Sequence, residues 1–309
     1  MRRALAKTLM DLARKDSRLM LLTADLGFMV FEEFAQQFPD RFINVGVAEA
    51  NLVGLGTGLA MSGYLPFLYS IATFASMRPY EQFRNGPVLH QLPVRMVGVG
   101  GGFEYGHAGI THYGLEDLGI ARMQPNLTVI APADAFQTIY ALKSTYDLNG
   151  PIYYRIGKND IEIVPTLNGR FRLGRIEILC EGRSLLMLSI GSISIEAWKA
   201  AEKLAATGIK ATLGIVSSLN PAPVGDLQSL LPNFDLVVTV EEHYIQGGLG
   251  SLAAEISAEF GWKGRLLRCG VSRNPGGIAG SEAYMRDLHG LSADRLVYSI
   301  RKVLDEAHR

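Results

Sequence analysis

The sequence predicts an α/β protein of two doubly wound domains, and three observations carry that expectation. Strand-length apolar runs alternate with helix-period segments along nearly the whole chain, the pattern of parallel sheets covered by helices. The length, 309 residues, fits about two domains at roughly 150 residues each. A stretch over 161–183, containing Pro165 and Asn168-Gly169, interrupts the alternation. It reads as a linker between a first domain at 1–160 and a second at 184–309.

Leu5, Leu9, Leu12 and Ala13 recur at helical spacing and predict an amphipathic helix over 3–15. Leu19 to Thr23 is a buried strand, and Asp25 follows at its carboxyl end, where open parallel sheets place ligand groups. Arg41 to Asn44 is a short strand, after which Glu49 opens an apolar helix that runs to Met61. A carboxylate there meets the positive end of the helix dipole, while its apolar neighbours desolvate it. Tyr64 to Tyr69 is a strand and Thr73 to Asn85 a helix. Val94 to Val99 is a strand that opens into a glycine-dense loop over 100–109, which includes His107. So many glycines let backbone approach a ligand or partner closely. A helix over Leu115 to Arg122, a strand over Leu127 to Ile130, a helix over Ala133 to Tyr146 and a strand over Pro151 to Arg155 complete the first domain. In the second, strands are expected at 184–190, 210–216, 236–241 and 266–269, with helices at 194–206, 248–260 and 292–307.

Composition removes several function classes. Thirty basic residues balance 30 acidic ones, so nothing favours a nucleic acid or an anionic membrane as partner. The two cysteines, Cys180 and Cys269, lie far apart without metal spacing, which fits a reducing cytoplasm. The longest apolar runs are strand-length, so no transmembrane helix is expected. A dinucleotide fingerprint needs a third glycine after Gly54-x-Gly56 or Gly98-x-Gly100, and Leu59 and Phe103 stand there instead. No Walker A, Gly-x-Ser-x-Gly or His-Glu-x-x-His pattern is present.

Phe42-Ile-Asn-Val-Gly-Val-Ala-Glu49 resembles the transketolase segment that carries the thiamine-activating glutamate. Thr111-His112-Tyr113-Gly-Leu-Glu-Asp117 is similar to that family's Thr-His-Gln plus Leu-Glu-Asp segment, and Arg78-Pro-Tyr-Glu-Gln to its Arg-Ala-Tyr-Asp-Gln. The resemblance covers nearly the whole chain. It implies a pyrimidine-binding thiamine-diphosphate fold followed by a transketolase C-terminal domain, with thiamine diphosphate and Mg²⁺ as cofactors. Glu49 is then the residue that bonds the aminopyrimidine and activates the cofactor. His112 is a second catalytic residue, exchanging a proton with the substrate oxygen, a task suited to histidine as a residue type, since a free imidazole has a pKa of about 6.5. Asp25 matches the family's Ala-Asp-Leu near the cofactor. Phe74 is the expected stacking aromatic, with Ile71 as the alternative position and core packing as the plain reading. Glu241-Glu-His243-Tyr resembles the family's C-terminal domain, and His243 is expected at the surface or an interface.

The resemblance also has departures. Transketolases hold a sugar phosphate with two arginines, a serine and a histidine. Arg2 (or Arg3) and Arg155 fall near the arginine positions, but Met29 and Gly100 replace the serine and histidine. His107-Ala108-Gly109 replaces an acidic Glu-Asp-Gly that helps read sugar hydroxyls, and His107 joins the substrate-binding candidates. The implied substrates are small ketose- and aldose-like molecules, at least one of which lacks the terminal phosphate or carries another anion. The glycines at 100–102 are expected to leave room for it. No Gly-Asp-Gly occurs in the sequence, so the diphosphate and metal ligands are expected on a separate pyrophosphate-domain (alpha) chain, in an α2β2 heterotetramer. The chain is thus expected to be the beta-type subunit of a split transketolase. Two other readings remain: the beta subunit of a 2-oxo acid dehydrogenase, and a non-catalytic scaffold that kept the fold.

Overall fold

The computed structural model describes residues 1–307. In the first half the chain runs α1 (Arg2–Ala13), β1 (Leu19–Thr23), α2 (Glu32–Gln37), β2 (Phe42–Asn44), α3 (Glu49–Met61), β3 (Leu65–Ile71), α4 (Ala72–Met77), α5 (Tyr80–Phe83), β4 (Arg95–Val99), α6 (Asp117–Arg122), β5 (Thr128–Ile130), α7 (Ala135–Thr145) and β6 (Ile152–Ile156). The second half adds β7 (Ile176–Cys180), β8 (Leu185–Ile190), α8 (Ser194–Ala205), β9 (Ala211–Val216), β10 (Ser218–Asn220), α9 (Val224–Leu230), β11 (Leu236–Tyr244), α10 (Leu249–Phe260), β12 (Arg265–Val271), α11 (Glu282–Leu288) and α12 (Ala293–Ala307).

Two sheets result. The first has seven strands in the order β10-β5-β6-β4-β3-β1-β2, and the second five in the order β12-β11-β8-β9-β7. Neighbours are parallel except at two edges, where β10 runs antiparallel to β5 and β7 antiparallel to β9. Strands β1, β3, β4 and β6 are buried at every position, as parallel strands covered on both faces must be. Leu5 and Leu9 of α1 and Ala141 and Leu142 of α7 cover one face of the first sheet. Leu52 and Val53 of α3 and Leu118 of α6 cover the other, in a core continuous with Leu186 of β8 in the second sheet and Leu249 and Leu252 of α10.

Three departures from the sequence-based expectations have local causes. The helix expected over 73–85 is cut into α4 and α5, because Pro79 lacks an N–H and its ring clashes with the preceding turn. Within the segment expected as a linker, Ile176–Cys180 is an edge strand of the second sheet. Conversely β10 leaves the second half to pair with the first sheet, so the two sheets share chain across the expected boundary.

Candidate active site

The order of the first sheet reverses at β1, which pairs with both β2 and β3. Open α/β sheets bind ligands beyond the carboxyl ends of strands at such a reversal. Asp25 follows β1, Glu49 follows β2, Phe74 follows β3 and the His107–His112 loop follows β4, so one edge of the sheet gathers them.

Glu49 is 3% exposed at the first position of α3. The Ser70 hydroxyl of β3 donates to its Oε1 at 2.9 Å, and Arg78 Nη1 donates to Oε2 at 2.8 Å. The Arg78 guanidinium also lies over the Phe74 ring, 3.9 Å from its centroid. Phe74 is half-buried and tilts at 67° against His112, with ring centroids 5.1 Å apart. Ile71, by contrast, ends β3 fully inside the core, so Phe74 is the aromatic that faces this group. His112 Nδ1 is 2.9 Å from the Thr111 hydroxyl. Glu49, Phe74 and His112 are therefore brought together, along with Ser70 and Arg78, for which the sequence motifs had suggested no role.

Asp25 stands beside this group as a brace. It has a left-handed backbone, φ 57°. Its N–H donates to Asn44 Oδ1 at 3.0 Å, and its carboxylate accepts from Asn44 Nδ2 at 2.9 Å. That reciprocal pair ties the end of β1 to the end of β2 just before Glu49. His107 lies exposed on the turn Gly106–Ala108, with no hydrogen bond or ion pair to its side chain among the described residues.

Arg155 does not reach the site. It is buried, and Nη2 donates to the carbonyls of Gly114 at 2.6 Å and Glu242 at 2.8 Å, while Nε pairs with Asp117 at 3.3 Å. Its place is the junction between the two domains. A cation that neighbours the site through Tyr105 is Lys158, two residues beyond β6. Its ammonium donates to the Glu104 carbonyl at 2.9 Å and lies 4.0 Å from the centroid of Tyr105, whose ring is 6.2 Å from that of His112. Burial lowers the Lys158 pKa, Glu104 opposes that, and the nearby Arg2 cation adds to it. Arg2 is half-buried, and its Nε has no hydrogen-bond partner among the described residues. Arg2 lies close enough to Lys158 and Tyr105 to act on both electrostatically, so two cations stand near this aromatic. Position within the sheet could have pointed to Lys158, since it follows a strand end as Asp25 does.

Two further expectations change. Cβ atoms at Gly100, Gly101 and Gly102 would fall 2.1, 1.8 and 2.3 Å from Tyr105, Arg155 and Glu242 respectively. These glycines therefore let side chains of the protein pack onto the loop, and they leave no room for a substrate. His243 is 1% exposed rather than at the surface. Its Nε2 accepts the Gly119 N–H at 3.1 Å across the domain junction, Nδ1 lies 2.6 Å from the Tyr244 carbonyl, and burial lowers its pKa.

Among the described residues no group of three or more His, Cys, Asp or Glu could hold a metal ion, and no helix is long and apolar enough to cross a membrane.

Comparison with known proteins identifies the family. Residues 1–162 match the family described as transketolase, pyrimidine binding domain, and residues 174–296 the transketolase C-terminal domain. The chain is 36% identical over 298 residues to a 6-deoxy-6-sulfo-D-fructose transketolase subunit of Clostridium sp., covering 96% of this chain and 92% of that one. It is 33% identical over 264 residues to an apulose-4-phosphate transketolase subunit of Actinobacillus succinogenes, covering 85% of each. A solved structure described as a split gene transketolase, inactive beta4 tetramer, superposes with a TM-score of 0.87 at 33% identity, over 98% of this chain and 97% of that one. The chain belongs to the transketolase family, as a transketolase-like transferase chain of the beta type found in the split, two-chain enzymes.

Proposed function

We propose that this chain pairs with a separate pyrophosphate-domain chain, in an α2β2 complex of the cytoplasm, to form a thiamine diphosphate- and Mg²⁺-dependent ketol transferase. The observation that carries the proposal is the buried Glu49 carboxylate beside the half-buried Phe74 ring, with His112 next to that ring. The chemistry of this pocket fits an aminopyrimidine, because a flat nitrogen head, the Arg78 guanidinium, already donates to Glu49 and stacks on Phe74. Thiamine diphosphate, when bound, supplies the carbon that carries the two-carbon unit between substrates. Glu49 would hold the proton at the pyrimidine ring nitrogen, kept in place by Ser70. His112 would move a proton at the substrate oxygen, and Asp25 acts through Asn44 to position the Glu49 turn. The diphosphate and Mg²⁺ belong to the partner chain. Phe28, Met29 and Val47, exposed at the same sheet edge, offer apolar surface for it to cover.

At the substrate end, Arg2 and Lys158 would bind an anion, with exposed His107 at the rim. The serine and histidine expected of a sugar-phosphate site are replaced by Met29, which points away into solvent at 87% exposure, and by Gly100. Hydrogen bonds to a charged group are worth about 1.5–3 kcal/mol each. Lacking two weakens selection for phosphate by roughly two to four decades at about 1.4 kcal/mol per decade. A substrate with a sulfonate or a carboxylate is therefore the one this site suits; a relative named for a sulfo-sugar supports it, whereas one named for apulose-4-phosphate favours a phosphate. The test is kcat/KM of the reconstituted pair for matched phosphorylated, sulfonated and uncharged ketol donors and acceptors. A preference of about a thousandfold or more for phosphate on both sides, about 4 kcal/mol, would restore an ordinary sugar-phosphate enzyme. Dye reduction driven by a 2-oxo acid without ketol transfer would instead favour the dehydrogenase reading.

A further inference from the structure

The structure assigns Arg78 a role of its own: we propose that its guanidinium is a built-in occupant of the aminopyrimidine seat, and that it must swing out before the cofactor ring can enter. The inference rests on the reading of Glu49 and Phe74 as that seat.

Arg78 stands one helical turn, four residues, after Phe74, so the end of α4 lays one side chain over the other. It lies 3.9 Å above the ring and 2.8 Å from Glu49 Oε2. A planar cation stacked on an aromatic face and donating to a carboxylate makes the two contacts that define the seat. The other carboxylate oxygen is already held by Ser70. An aminopyrimidine that stacks on Phe74 and bonds Glu49 therefore meets the guanidinium at Oε2, and the two occupants exclude each other.

The pair is also asymmetric. The Glu49 side chain is 2% exposed and that of Arg78 46%, so the carboxylate is fixed while the cation has an open path to solvent. If Arg78 left with nothing replacing it, a buried carboxylate would lose the one cation paired with it among the described residues, which is unfavourable. Its departure is thus linked to the arrival of another nitrogen donor. In the partner-free chain the seat stays closed. In the assembled pair the partner's hold on the diphosphate brings the pyrimidine close enough to compete.

An apparent dissociation constant equals the intrinsic one divided by the fraction of seats open, so Arg78→Ala should tighten thiamine diphosphate binding to the reconstituted pair by roughly three- to thirtyfold. Isothermal titration reads this without any turnover. Inorganic diphosphate, which does not enter the seat, should bind wild type and variant alike. Unchanged or weaker cofactor binding in Arg78→Ala, or equal tightening for diphosphate, overturns the proposal. Phe74→Ala placed in the Arg78→Ala background separates the two readings. If it leaves cofactor binding unchanged, the seat itself is misassigned. If it weakens binding while Arg78→Ala alone does not tighten it, the seat stands and only the placeholder falls.

Discussion

Glu49 owes its position to two neighbours, Ser70 on β3 and Arg78 after α4, which each hold one carboxylate oxygen. Glu49→Gln keeps the shape and the Ser70 bond, and Arg78 can turn to solvent, so the fold should survive. Loss of the proton-holding oxygen should lower kcat of the reconstituted pair by about 10²–10⁴-fold. Steady-state ketol transfer, with thermal unfolding as the control, checks both halves, and activity within a few-fold of wild type would remove Glu49 from the activating role. Lys158 makes a complementary case. Lys158→Met removes a charge-assisted bond of about 1.5–3 kcal/mol to an anionic substrate, which is roughly ten- to a hundredfold in KM. The same change should leave an uncharged substrate unaffected, and equal effects on both would place the ammonium outside the substrate site.

The elements at the domain junction are held by buried charge. Arg155, at the end of β6, bonds two carbonyls on opposite sides of the junction and pairs with Asp117, which also accepts from the Tyr153 hydroxyl at 2.7 Å. Arg155→Met leaves Asp117 buried without its cation and should cost about 3–5 kcal/mol. Chemical denaturation measures this; a stability unchanged alongside a raised substrate KM would return Arg155 to the substrate site. Behind it, Glu241 near the end of β11 accepts the N–H groups of Leu249 and Gly250 at 2.8 Å each, closing the start of α10. Burial pushes its pKa up from 4.5 to about 7, although the two N–H donors pull against it. The folded chain therefore holds this proton more tightly than the unfolded one. The stabilisation is complete below about pH 4.5 and is lost as pH rises through about 7. At about 1.36 kcal/mol per pKa unit this amounts to about 3 kcal/mol. Burial raises Glu282 in the same sense, to about 8. Glu241→Gln should flatten, without abolishing, the fall in unfolding free energy between pH 5 and 8, and an unaltered slope would mean that Glu241 does not titrate there.

For the molecule as a whole, the seven-stranded sheet brings the pyrimidine-side groups to one edge, and the groups that would hold diphosphate and Mg²⁺ belong, on our proposal, to another chain. A ligand that binds only the folded state raises stability in proportion to the logarithm of its saturation. Thiamine diphosphate with Mg²⁺ should therefore shift the melting temperature of the reconstituted pair but not that of this chain alone. A clear Mg²⁺-dependent shift for the isolated chain would defeat the split-site proposal.

The sequence by itself determined the alternation of strands and helices, the placing of Glu49 at the start of α3 and of Asp25, Phe74 and His112 after successive strands. Those features are local: a strand buried on both faces is written as an apolar run, and the residues just beyond its carboxyl end lie at the binding edge of a parallel sheet. The tertiary structure alone decided that Arg155 is spent on the domain junction and that Lys158 lies over the Tyr105 ring. It also decided that His243 is buried, that β10 crosses to the first sheet, and that Arg78 lies on Phe74 against Glu49. Arg155 and Lys158 are three residues apart on either side of one strand end. Arg155 is held at the junction by the carbonyls of Gly114 and Glu242, supplied 41 residues before and 87 residues after it, and contacts so distant leave no trace in the spacing around either residue.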